Sequence, residues 1–133
     1  MDIVGTDASG NYGIMLLNDG TNLIFRFRLS GYANNSKAYS ILIDTDQKMG
    51  FTGVNADPNA VPGNAGFEVE VVLKTNFGVE VYNVDGTTTP VVSTSFATNP
   101  YSSHCQKSMA LTTACSNPDY FYDFYIPITQ LTG

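Results

Sequence analysis

The chain has 133 residues, with 12 acidic and 6 basic side chains and a net charge of −6. Its length predicts a single domain spanning residues 1–133, large enough to bury most of its apolar surface. The acidic balance argues against binding of nucleic acid, and the sequence contains no apolar run long enough for membrane insertion.

The composition is typical of an extracellular protein. Only 14% of the residues are charged, while Gly, Asn, Ser and Thr are abundant. The N-terminus does not resemble a signal peptide, because Asp2 and Gly5 stand where a basic and then an apolar segment would be expected. We therefore expect a module excised from a larger secreted protein, with the other domains of that protein as its covalent partners.

Alternating apolar and polar residues predict a succession of short β-strands. In the run 23–29, for example, Phe25 and Phe27 point away from Arg26. Helical signals are limited to one possible turn at 109–114. The predicted strands are 13–17, 23–29, 39–46, 67–73, 79–84, 91–95 and 120–128. Short strands separated by turn residues predict an all-β fold, an antiparallel β-sandwich with two sheets in a jelly-roll or immunoglobulin-like arrangement.

Acidic residues mark the ends of two predicted strands. The run 39–46 ends in Asp44 and Asp46, and the run 67–73 begins with Glu68 and Glu70, with a long polar loop between them. Crowded carboxylates need a counter-charge, which points to a hard cation such as Ca²⁺ or to a hydroxyl-rich ligand. The candidate metal ligands are Asp44, Asp46, Asn55, Asp57 and Glu68.

Two features of this loop limit the metal hypothesis. Counting from Asp44, the glycine that an EF-hand requires falls on Met49, so any calcium site is of another kind. The alternative is that Asp44 and Asp46 only cap the turn through neighbouring backbone groups. Zinc is not expected, because one His and two Cys cannot supply its usual ligands.

The two arginines of the chain, Arg26 and Arg28, share one strand face. If the runs 23–29, 39–46 and 67–73 formed an antiparallel meander, both arginines would face the acids of the neighbouring strands. Guanidinium and carboxylate groups hydrogen-bond sugar hydroxyls in fixed directions, and tyrosine rings can stack on a pyranose. The alternatives are a solvated face with ordinary ion pairs and tyrosines packed in the core. The candidate ligand-binding residues are Arg26, Arg28, Glu68, Glu70, Tyr82 and Tyr125.

Cys105 and Cys115 lie close together within a segment whose polar composition predicts a loop. We expect a disulfide between them, as is common in secreted proteins. Closing this short loop would stabilise the fold by roughly 3 kcal/mol on the chain-entropy model. The alternative is a pair of free thiols, which are usually buried.

Four segments resemble a known family. They are Leu23-Ile24-Phe25-Arg26-Phe27-Arg28-Leu29, Tyr39-Ser40-Ile41-Leu42-Ile43-Asp44-Thr45-Asp46, Gly66-Phe67-Glu68-Val69-Glu70 and Tyr125-Ile126-Pro127-Ile128. In this order they resemble the β-sandwich of DOMON domains and family 9-like carbohydrate-binding modules, as found in secreted multidomain surface proteins of Bacteroidetes-type bacteria. The resemblance covers about Leu16 to Leu131. It implies binding of sugar or haem, with structural calcium in some members. It places Asp44, Asp46 and Glu68 near a metal or ligand edge and Arg26 and Arg28 on the sheet face.

Haem and catalysis are both disfavoured by the residues present. His104 is the single histidine, and although Met15, Met49 and Met109 could complete an axial pair, a lone His is usually structural. No nucleophile-elbow motif occurs, and the conceivable glycosidase pair is Asp44 with Glu68.

We therefore expect a non-catalytic extracellular binding module that recognises a polysaccharide or cell-surface glycan and is stabilised by calcium. The alternative is a structural or adhesive spacer domain of a large bacterial surface adhesin, with no small ligand.

Overall fold

The computed structural model of the protein describes residues 3–5, 12–33, 35–58, 60, 62, 65–76, 78–84, 91–97, 104–111 and 117–131. Within these ranges the strands are β1 Ile14–Asn18, β2 Asn22–Leu29, β3 Ala38–Ile43, β4 Val69–Lys74, β5 Gly78–Asn83, β6 Val91–Ala97, β7 Cys105–Met109 and β8 Tyr120–Pro127. Two 3₁₀ turns, Gly53–Asn55 and Ile128–Leu131, accompany them. No helix in these ranges is long and apolar enough to span a bilayer.

The strands form two four-stranded sheets. Sheet A has the order β1-β2-β8-β7, and sheet B has the order β3-β4-β5-β6. Every pairing within them is antiparallel. The chain passes from sheet A to sheet B between β2 and β3, and it returns between β6 and β7. The predicted all-β, antiparallel sandwich is therefore confirmed.

The core lies between the two sheets and follows the predicted alternation. In sheet A, Phe25 and Phe27 of β2 point inward and pack against Phe124 of β8, with ring centroids 5.3 and 5.2 Å apart. Sheet B contributes buried aliphatic side chains: Val69, Val71, Leu73, Val79 and Val81. Each fully buried side chain of this size stabilises the fold by about 1.5–3 kcal/mol. The outward-facing residues of β2 and β8 are consequently displayed side by side on the outer face of sheet A.

The predicted meander is wrong. β2 pairs with β1 and β8, whereas β3 pairs with β4 in the other sheet. The reason is that the connection 30–37 crosses the sandwich instead of making a hairpin. Arg26 and Arg28 therefore lie in a different sheet from Glu70, and the two groups do not face each other.

The segment around Cys105 is also different from the prediction. It is the edge strand β7, paired with β8, and not a loop; Met109 ends this strand and does not begin a helical turn. Cys105 points into the core, is 7% exposed and carries a free thiol. Burial raises the pKa of this thiol to about 11. The structure thus has no bridge from Cys105 to Cys115, which lies outside the described residues.

Residues 3–5 pair with the last residues of β2 on its β1 side, beyond the point where β1 begins. Ile3 forms an isolated antiparallel bridge with Leu29, and the Val4 N–H donates to the Arg28 carbonyl at 2.8 Å. The Arg28 N–H in turn donates to the Gly13 carbonyl at 2.8 Å. The backbones of Val4, Gly13 and Arg28 therefore meet at one point just before β1 begins.

Candidate functional site

The outer face of sheet A carries a shallow trough that runs across its strands. One row of aligned residues is Met15, Arg26, Asp123 and Gln106. The next row is Leu17, Ile24 and Tyr125, continued by His104. Because neighbouring strands lie about 4.8 Å apart, four strands give the trough a length of roughly 14 Å. We refer to this surface as the sheet A trough.

An ion pair occupies the middle of the sheet A trough. Arg26 Nε donates to Asp123 Oδ1 at 2.6 Å, and Nη2 donates to Oδ2 at 2.7 Å. The guanidinium also lies over the Phe121 ring, 4.8 Å from its centroid. The two side chains remain 42% and 26% exposed. The bidentate pair and the ring hold donors and acceptors in fixed positions while leaving them accessible to a ligand.

Aromatic rings form one wall of the trough. His104 lies between Phe96 of β6 and Tyr125 of β8, with centroid distances of 3.9 and 4.6 Å and nearly parallel planes. Burial lowers the pKa of His104, so the imidazole is neutral at pH 7. Tyr125 ends this stack, and the second face of its ring points away from His104. Tyr125 is half-buried, and aromatic rings of this kind can stack on an apolar ligand surface such as the C–H side of a pyranose.

Arg28 is not part of this accessible surface. The residue is 1% exposed, and its Nε and Nη2 atoms contact Asp119 Oδ2 at 2.9 and 2.8 Å. Asp119 is 0% exposed. Because the guanidinium is buried, a ligand cannot reach it in this structure, and the observed geometry does not support the ligand-binding role predicted for Arg28. The pair instead joins β2 to the segment that precedes β8.

Glu70 and Tyr82, two other predicted ligand-binding residues, lie on the outer face of sheet B. Ser40 donates to Glu70 at 2.5 Å, and Tyr82 donates to Glu80 at 2.6 Å. Lys74 also pairs with Glu80. This face matches the alternative that the sequence left open, a solvated surface with ordinary ion pairs. It lies on the opposite side of the sandwich from Arg26 and Tyr125.

The acids at the end of β3 and the start of β4 converge as predicted. Asp44, Asp46 and Glu68 each offer a carboxylate oxygen, and these oxygens all lie within 4.8 Å of one another. We refer to these three residues as the acidic cluster. Asp57 is buried beside it and close to Glu68. Asn55 is exposed in the 3₁₀ turn Gly53–Asn55.

Glu68 is the buried member of the acidic cluster, at 4% exposure. Its Oε2 atom accepts hydrogen bonds from the Thr45 N–H and hydroxyl, at 2.6 and 3.0 Å, but Oε1 has no hydrogen-bond partner among the described residues. Burial raises the pKa of Glu68. The hydrogen bonds from Thr45 lower this pKa, and the neighbouring Asp57 carboxyl raises it further. A buried carboxylate oxygen without a partner is costly, and either a proton shared with the neighbouring Asp57 carboxyl or a bound cation would relieve that cost.

The chain supplies part of the counter-charge itself. Lys48 Nζ lies 2.7 Å from Asp46 Oδ2, and the pKa of Lys48 is raised first by Asp46 and then by Asp57 and Glu68. Asp44 accepts the Gln47 and Met49 N–H groups at 2.6 and 3.2 Å. Asp46 likewise accepts the Lys48 N–H at 3.0 Å. Both aspartates therefore cap the turn as the alternative predicted, and these bonds leave further lone pairs on each of them.

Sequence reasoning missed several residues of the sheet A trough. Asp123, the partner of Arg26, is 97 positions away in the chain. Gln106 lies in β7 and His104 directly precedes that strand, where the sequence predicts a loop. The alternation in the last strand already placed Asp123 beside Tyr125. What the sequence lacked was a signal that β8 pairs with β2.

Comparisons of the chain with protein-family models, with curated proteins and with solved structures found no match.

Proposed function

We propose that the protein is a non-catalytic binding module of a secreted protein and that the sheet A trough recognises carbohydrate. The observation that carries the proposal is the partly exposed Arg26–Asp123 pair on the same sheet face as the half-buried ring of Tyr125. Sugars present hydroxyls in fixed directions around a partly apolar ring. A bidentate ion pair beside an aromatic face matches both properties.

Charge indicates which glycans are suitable. Asp123 neutralises Arg26, and the chain as a whole carries a net charge of −6. An acidic polysaccharide would be repelled at long range and would find no unpaired cation in the middle of the trough. The ligand class that fits is therefore a neutral polysaccharide or cell-surface glycan.

The test is affinity electrophoresis in gels that contain neutral plant and algal polysaccharides. We expect the wild-type protein to be retarded by at least one of them, and Tyr125→Ala to lose that retardation. Loss of one aromatic stacking contact in a sugar site should weaken binding roughly ten-fold.

Tyr82→Ala is the matched control, because Tyr82 is a partly exposed tyrosine on the outer face of the other sheet. It should migrate like the wild-type protein. If Tyr82→Ala, and not Tyr125→Ala, abolished retardation, the binding face would be sheet B. If no polysaccharide of a broad panel retarded the protein, the proposal would be rejected, and the structural or adhesive spacer domain would be favoured.

We also propose that the acidic cluster binds a hard divalent cation, with Ca²⁺ as the best candidate. Support comes from the three converging carboxylates and from the buried Glu68 Oε1. Ca²⁺ takes about six to eight oxygen ligands in irregular geometry, and a loop of Asn, Asp and backbone carbonyls can provide them. Lys48 would have to leave Asp46 when the cation binds.

Calcium is expected to raise the melting temperature and a chelator to lower it. A cation at about 100 times its dissociation constant adds about 2.7 kcal/mol, or roughly 5–10 °C for a domain of this size. Asp44→Asn should abolish the difference between calcium and chelator. Asp19→Asn is the matched control, since Asp19 also accepts two backbone N–H groups in a loop but belongs to the β1–β2 turn. Identical melts in calcium and chelator would rule out the site.

A further inference from the structure

The apolar end of the sheet A trough lies on β1. Four consecutive apolar residues of this strand, Ile14 to Leu17, are each 50–64% exposed. On the outer face, Met15 is aligned with Arg26 and Leu17 with Ile24. Ile14 and Leu16 are aligned with the inward-facing Phe27 and Phe25 and therefore point to the other face. Isolated exposed apolar residues are normal on protein surfaces, whereas Met15 and Leu17 together line a ligand-sized hollow, which indicates a binding role.

The trough consists of two hollows that share Ile24 and Asp123. The hollow over β1 and β2 has a volume of about 410 Å³ and is lined by Met15, Leu16, Leu17 and Ile24, with Arg26 and Asp123 at its polar end. The hollow beside His104 and Tyr125 is smaller, about 160 Å³. Ligand pockets in proteins occupy about 300–1,000 Å³ and combine apolar walls with few polar groups. The larger hollow fits this description, but its apolar walls do not suit a bare sugar ring with hydroxyls on every side.

The polar end of the larger hollow has a specific hydrogen-bonding character. Asp123 accepts hydrogen bonds from Nε and Nη2 of Arg26. The other guanidinium N–H groups can donate to a ligand. A guanidinium donates and does not accept. Its best partner beside an apolar wall is an oxygen that accepts and does not donate, such as an ester carbonyl attached to an alkyl group.

We propose that the ligand is an O-acylated glycan, an inference that rests on the proposed carbohydrate binding. The sugar ring lies against Tyr125, and the acyl group extends into the larger hollow. There its carbonyl oxygen accepts from Arg26 and its alkyl part contacts Met15 and Leu17. An acyl ester is neutral, so it suffers no repulsion from the acidic chain.

The experiment compares one polysaccharide with and without its esters. Acetylated xylan and acetylated glucomannan are used before and after mild alkaline de-esterification, and dissociation constants are measured by isothermal titration calorimetry. We expect de-esterification to weaken binding to the wild-type protein roughly ten-fold or more, because the apolar walls and the guanidinium lose their partner. Met15→Ser should weaken binding of the acetylated form to the same level.

Met109→Ser is the matched control, because Met109 is exposed to a similar degree on β7, the opposite edge strand of the same sheet. It should retain the preference for the acetylated form, and circular dichroism should show that both variants are folded. Equal affinity for the two forms of a polysaccharide that binds would overturn this inference and leave carbohydrate binding intact. If neither form of either polysaccharide bound, and no member of the neutral panel retarded the protein, both the acyl-group inference and the proposed carbohydrate binding would be overturned.

Discussion

Replacing Arg28 by alanine is expected to lower the free energy of unfolding by about 3–5 kcal/mol. Both members of its ion pair with Asp119 are buried, and their side chains are 2% and 0% exposed. Removing the guanidinium leaves the Asp119 carboxylate in the interior without its charged partner and opens a cavity beside Phe121. The measurement is urea unfolding followed by circular dichroism.

Arg26→Ala is the matched control, since it removes the neighbouring arginine from the same face of the same strand. That pair is partly accessible to solvent, and we expect a cost of about 0–1 kcal/mol. Comparing the stability losses of the two variants therefore shows how much of the effect comes from burial of the ion pair, because each variant removes one arginine–aspartate pair. The double variant Arg28→Met/Asp119→Leu should be clearly more stable than Arg28→Ala, because it removes both charges together. Equal losses for Arg28→Ala and Arg26→Ala would show that Arg28 is accessible to water in solution.

The difference in burial between Arg26 and Arg28 also changes which of the two arginines can bind a ligand. Sequence alternation places Arg26 and Arg28 on one face and treats them alike. In the structure, Arg26 lies in the middle of sheet A, where the face is open, whereas Arg28 lies at the end of β2, where the segment before β8 covers it. Exposure along one strand face depends on which loops fold over its ends, and strand periodicity carries no information about that.

The strands and the core could be predicted because period-two alternation is a local property. The faces of β2 and β8 follow directly from it. The acidic cluster could also be predicted, because β3 and β4 are consecutive and antiparallel, so the end of one lies beside the start of the other. The pairing of Ile43 with Val69 then places Asp44 next to Glu68, and this placement does not depend on the conformation of the loop.

Pairing between distant strands could not be predicted. The Arg26–Asp123 pair depends on β8 lying beside β2, and the trough depends further on β1 and β7 flanking them. β7 itself has the sequence Cys-Gln-Lys-Ser-Met, whose polar residues give little strand signal. The sequence therefore predicts a loop around Cys105, whereas the structure has an edge strand that pairs with β8 and buries Cys105 in the core.

Gly13→Ala is expected to destabilise the protein by about 2.5–4 kcal/mol. A Cβ at this position would overlap the carbonyl oxygen of Val4 and lie 2.7 Å from its carbonyl carbon. These are backbone atoms, held in place because the Val4 N–H donates to Arg28 and the Arg28 N–H donates to Gly13. No side-chain rotation can relieve the overlap, so the chain must detach residues 3–5 from the edge of β2.

Detachment sets the size of the effect. It exposes the buried Val4 side chain, which costs about 1.5–3 kcal/mol, and it breaks a backbone hydrogen bond worth about 1 kcal/mol. Gly5→Ala is the matched control in the same segment, because no described atom lies within 4 Å of a Cβ there; its effect should stay within about 0.5 kcal/mol. Thermal unfolding gives the loss of stability, and hydrogen exchange at the Val4 amide reports whether the segment has left the sheet. A Gly13→Ala protein that melts like the wild type and keeps the Val4 amide protected would show that the N-terminal segment does not pack against Gly13.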